Sequence, residues 1–85
     1  MAAAARRAEL APLKARVKDA ETKISRLQVE IEKIEAQQAD PKVYNGPADK
    51  LIALGKDKAR FGADLETTEE QWLALSAELE DAERA

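Results

Sequence analysis

Residues 39–50 read ADPKVYNGPADK, and no other stretch of the 85-residue chain is as hostile to helix. Pro41 and Pro47 each lack a backbone donor and push the residue before them toward extended conformations. Asn45-Gly46 is a turn dipeptide, because both residues tolerate backbone angles that other side chains avoid. Gly46, Pro47 and Asp49 then supply a cap, a first helical position and an acid that complements a helix N-terminus. The stretch therefore predicts that one helix ends near residue 39, that a loop spans about 40–47, and that a second helix starts near 48.

Both flanks carry heptad patterns. Leu10, Leu13, Val17, Ala20, Ile24, Leu27, Ile31, Ile34 and Gln38 follow one another at alternating spacings of three and four. That spacing keeps them on one stripe of a helix as the a and d positions of a coiled coil. Leu51, Leu54, Lys58, Phe61, Leu65, Thr68, Trp72, Leu75, Leu79 and Ala82 repeat the pattern, with Lys58 and Thr68 as polar interruptions. The two frames are out of phase by one residue, so one continuous helix would turn its stripes about 100° apart. Folding the arms back on each other buries both. The expected fold is all-α, a two-helix antiparallel coiled-coil hairpin, with residues 1–11 as a loose linker end, a helix over 12–39 opened by Pro12, and a second over 48–83. The volumes favour a register that sets Ala20 against Trp72, Leu27 against Leu65 and Ile31 against Phe61, small beside large. It would also let Val43 and Tyr44 fold over Leu51. A register one heptad shorter sets Lys58 against Leu27.

Composition limits what such a chain does. With 36% charged and 4% aromatic residues it can build a seam but no thick core. It has neither cysteine nor histidine, which removes disulfides, thiolate or imidazole metal sites and histidine-based triads. The Gly55-Lys56 pair fails as a phosphate loop, since that pattern needs glycine at position 50 and Ser or Thr at 57, where Lys50 and Asp57 stand. Glu69-Glu70 and Glu80-Asp81 are expected on a solvated face without a pocket to raise a carboxyl pKa. The expectation is a non-catalytic module with no cofactor and no metal. No apolar run approaches the length of a membrane span, and Arg6 and Arg7 interrupt the leading alanines, so the chain reads as soluble and cytoplasmic.

The net charge of -3 conceals a gradient. Residues 1–26 hold seven cations against Glu9, Asp19 and Glu21, whereas residues 62–85 hold eight acids against Arg84 alone. A hairpin lays these arms side by side. Lys14, Arg16 and Lys23 flank the seam and are expected to pair with the acidic arm, for example Arg16 with Glu78. Lys42, Lys56 and Arg60, near the turn and without an acidic block beside them, are the better candidates for phosphate contact, joined by the outward Lys18 and Arg26. Trp72 belongs to the stripe and is expected in the seam, mostly buried against Ala20.

Three segments carry a family resemblance: Leu10-Ala11-Pro12-Leu13 opening a basic heptad helix, Ala39-Asp40-Pro41-Lys42-Val43-Tyr44 at the turn, and Glu69-Glu70-Gln71-Trp72-Leu73 in an acidic second helix. In this order they resemble the C-terminal domain of bacterial ABC-F ATPases, the Uup-like group, over about residues 8–83. The resemblance implies two nucleotide-binding cassettes outside this chain, a cytosolic, non-transporting protein, action on ribosomes, and a hairpin associated with DNA binding. The implied partners are nucleic acid, either DNA or ribosomal RNA, and the ATPase cassettes. No ATP-binding residue carries over. The alternative reading is a purely structural or protein-binding coiled coil that positions the ATPase. In either case the phase break and the prolines favour a monomer.

Overall fold

A computed structural model describes the backbone of residues 2–84 and the side chains of residues 8–84. Three helices follow in order: α1 over Ala2–Ala39, the single turn α2 over Pro41–Tyr44, and α3 over Ala48–Arg84. The helices α1 and α3 pack against each other along an antiparallel hairpin of 66 × 15 × 14 Å, and α2 closes its turn. The fold is all-α, as the two stripes require.

The start of α1 differs from the expectation. The helix begins at Ala2 and carries Pro12 inside it, so residues 2–11 continue the helix and Pro12 does not open it. An internal proline removes one hydrogen bond and crowds the preceding turn. Here Leu10, two residues earlier, is buried, and its burial together with that of Leu13 opposes this penalty. The expected basic pair Arg6 and Arg7 lies outside the residues whose side chains are described.

At the turn the breakers organise a helical turn instead of an irregular loop. Asp40 caps α2, its side chain accepting a hydrogen bond from the Lys42 backbone N–H at 3.0 Å, and Pro41 takes the first helical position. The backbone N–H groups of Val43 and Tyr44 both donate to the Asp40 carbonyl, at 3.0 and 2.8 Å. Gly46 is needed for space: a Cβ there would lie 3.0 Å from the Lys42 carbonyl oxygen. Successive residues of α2 point about 100° apart, so Val43 and Tyr44 cannot both turn inward. Val43 does, joining Ile34 and Leu54 in a cluster on which Leu51 and Phe61 also pack. Tyr44, expected to fold over Leu51, is instead 68% exposed.

Every expected seam position on both arms is buried or half-buried. Ala20 shares a groove with Thr68 and Leu75, the stripe positions on either side of Trp72, and Ile34 clusters with residues on either side of Lys58. These neighbours fit the register with Ala20 opposite Trp72 and not the one a heptad shorter. Both polar interruptions are accommodated. Thr68, at 1% exposed the most enclosed side chain described, donates its hydroxyl to the Asp64 carbonyl at 2.7 Å, which satisfies it within its own helix. Lys58 is half-buried, and its ammonium reaches Glu35 of α1 at 3.2 Å.

The seam is not symmetric about its axis. Apart from Leu10, the buried seam residues, Ala20, Leu27, Ile34, Leu54 and Thr68, all occupy d positions. The half-buried charged residues outside the stripe, Lys23, Glu30, Asp57 and Asp64, all occupy g, the position beside d. The helices are thus rolled toward their d and g edges. Apart from Leu10, the stripe residues at a are only half-buried.

Candidate functional site

The five cations singled out from the charge pattern are all exposed, but they do not form one patch. Lys42 lies on α2, while Lys56 lies on the third turn of α3 and Arg60 on its fourth, at the outward f and c positions. This places Lys42 and Lys56 toward the closed end of the rod and Arg60 roughly 18 Å along α3 from its start. Arg26 and Lys18 sit on α1 roughly 20 and 31 Å from the turn, counting 1.5 Å per residue back from Ala39. In the pairing observed, they lie level with the acidic half of α3.

Their surroundings divide them further. Arg60 has an acidic neighbour after all: its guanidinium is 3.5 Å from Asp57, one turn earlier, and its Cζ stands 5.2 Å from the centre of the Phe61 ring. The expectation that it lacked such a partner is corrected. The spacing Asp57-x-x-Arg60 already carried the signal, because residues three apart on a helix are neighbours. Among the described residues no ion pair engages the side chains of Lys42, Lys56, Lys18 or Arg26.

Lys50 belongs with the closed-end set and was not singled out. It is exposed in the first turn of α3, where the helix dipole disfavours a cation. A lysine standing where local electrostatics oppose it is a signal the sequence does contain. Lys42, Lys50 and Lys56 are thus exposed cations on α2 and the first three turns of α3, the end of the rod that also carries the exposed Tyr44.

Cations beside the seam behave differently. Lys23 bridges to Asp64 across the hairpin at 3.3 Å, and Lys33 relieves Glu30 from the same helix at 3.4 Å. Arg16 and Glu78 border one groove, over the small Ala20, without closing the expected ion pair. These contacts are exposed enough to contribute little each, but they use up positive charge that would otherwise face a ligand.

Trp72 is of intermediate burial. Its ring borders a groove on the open a and e side together with Glu21, Ile24, Ser25, Glu69 and Leu73. Most of Trp72 is covered, as expected, and the roll of the helices toward the other edge leaves the rest of it at the groove. Among the described residues no group of acidic side chains is arranged to hold a metal ion, and no helix is long and apolar enough to cross a membrane.

Residues 5–77 match the family model of the ABC transporter C-terminal domain. No curated protein and no solved structure matches the chain.

Proposed function

The chain belongs to the ABC transporter C-terminal domain family, an accessory module of ABC-type ATPases, and from that premise we propose that it is a nucleic-acid-contacting arm that meets phosphate backbone with its closed end. The observation that carries the reading is the set of exposed lysines 42, 50 and 56, without an ion pair among the described residues, on and beside a turn held by the Asp40 cap and the buried Val43. Phosphate contact requires only positive charge at a suitable spacing on a firm support. The resemblance to the Uup-like ABC-F group points to DNA or ribosomal RNA as the ligand and to a cytoplasmic parent ATPase, and the phase break and the prolines favour a chain that works as a monomer. Binding of this kind is weak, electrostatic and indifferent to sequence.

Titration with duplex DNA and with ribosomal RNA fragments at two salt concentrations tests it. Each phosphate contact contributes about 0.9 to the slope of log K against log salt on duplex DNA, so three contacts give a slope near -3. Replacing Lys42 and Lys56 by Glu should flatten that slope by about 2 and weaken binding to all sequences alike. Equal binding by this variant and the parent would sink the reading in favour of a structural or protein-binding arm, which the net charge of -3 favours.

A further inference from the structure

The cations at the turn leave the opposite chemistry, on the open side of the seam, without a role. There Ile24 and Trp72, both a positions, and Leu73, at the neighbouring b position and 60% exposed, form the apolar floor of a groove of about 380 Å³. Glu21 on α1 and Glu69 on α3, both e positions, stand on its walls. In the observed register the two carboxylates face the same groove, and no ion pair engages either among the described residues. The Trp72 indole Nε1 is shielded from water and has no hydrogen-bond acceptor. Buried indole N–H groups ordinarily find one.

A two-helix seam rolled toward one edge presents its other edge as two sides of an incomplete three-helix arrangement. What completes it must bring apolar side chains for Ile24, Trp72 and Leu73 and cations for Glu21 and Glu69. We propose that this groove is the docking site of a basic amphipathic helix from another protein, which lies along α1 and α3 as a third strand of the coil. Charge complementarity decides the occupant. Phosphate would be repelled by Glu21 and Glu69, and a purely apolar helix would leave both carboxylates facing low dielectric. A second copy of this chain has no suitable face either, because the apolar stripe of its basic arm is already used in its own seam. The site is separate from the lysines at the turn, so the hairpin holds two surfaces of opposite charge.

Trp72, the only tryptophan of the chain, reports on the groove directly. The probe is a synthetic helix of about 18 residues, five turns, with leucine on one face and lysine on the others. Titrated into the chain, it should shift Trp72 emission to shorter wavelength and saturate at one peptide per chain. The double variant Glu21→Gln, Glu69→Gln should bind about five- to tenfold more weakly at low salt, and Leu73→Ser should lose a similar factor. Both change exposed side chains, so their thermal midpoints should stay close to the parent's. The matched variant Glu80→Gln, Glu83→Gln removes the same charge at the far end of α3 and should alter affinity less than twofold. Equal weakening by the two double variants would mean attraction to net charge alone and would overturn the proposal. So would peptide binding without a change in Trp72 emission, or sedimentation showing the groove covered by self-association before peptide is added. Retained peptide binding in the Lys42→Glu, Lys56→Glu variant is expected whether or not the turn contacts nucleic acid.

Discussion

Ile34 and Leu10 are buried to similar degrees, at 6% and 9% exposed, yet the hairpin makes their truncation unequal. Ile34 lies where all three helices meet, enclosed by Val43 of α2 and by Leu54, Leu51 and Phe61 of α3. Ile34→Ala removes three buried carbons, worth about 0.8 kcal/mol each or about 2.4 kcal/mol together. Because the cluster is held on three sides it cannot collapse fully onto the gap, and the residual cavity raises the loss to about 3–4 kcal/mol. For a chain of this size, roughly 4–8 °C per kcal/mol turns that into a fall in Tm of about 12–30 °C. Leu10 packs near the open end of the rod, where terminal turns open locally at little free energy, so Leu10→Ala should lose only about 1–2 kcal/mol. The measurement is urea and thermal unfolding followed by circular dichroism for both variants, with m compared as well as the midpoint. Equal losses, or a loss below about 1 kcal/mol for Ile34→Ala, would refute the view that the closed end is the most tightly held part of the fold.

Three further outcomes are expected. Gly55 and Gly62 lie inside α3 with nothing within 4 Å of an added Cβ, so Gly55→Ala and Gly62→Ala should each raise stability by about 0.5–1 kcal/mol, while Gly46→Ala, crowding the Lys42 carbonyl, should lower it; calorimetry on the three variants checks the signs. Thr68→Val keeps the shape of the most enclosed side chain, and the Asp64 carbonyl keeps its helical partner, so stability should hold or rise by up to about 1 kcal/mol; a loss larger than that in urea unfolding would show that the hydroxyl matters more than the methyl. Trp72→Ala should lose about 3 kcal/mol, the low end for a large side chain because part of it stays open to the groove. An unchanged urea midpoint would remove Trp72 from the seam altogether.

The seam was legible because its physics is one-dimensional. Every position chosen by the three-four spacing, from Leu10 to Gln38 and from Leu51 to Ala82, is at least half-buried, and the volume argument that set Ala20 opposite Trp72 selected the observed register. Three things were not legible. The helix before Pro12 depends on the tertiary burial of Leu10, which overrides the local preference of proline. The division of labour between Val43 and Tyr44 depends on α2 being helical, which two prolines in eight residues conceal. The roll of the helices toward the d and g edges, and with it the exposure of Trp72, arises from packing both stripes at once, and neither stripe alone contains it. At the candidate site, exposure of the five cations followed from their heptad positions, whereas the Asp57 contact of Arg60 was readable and passed over.

The slenderness of the hairpin has a mechanical meaning. Its length of 66 Å is more than four times its width of 15 Å, and both long helices run almost the whole way, so it transmits rotation as a stiff lever. With the open end anchored, a turn of about 15°, the size of a rigid-body step between packed subunits, swings the lysine-bearing end through about 17 Å. A conformational change too small to reposition a compact domain by its own width therefore moves this tip by more than the thickness of the rod.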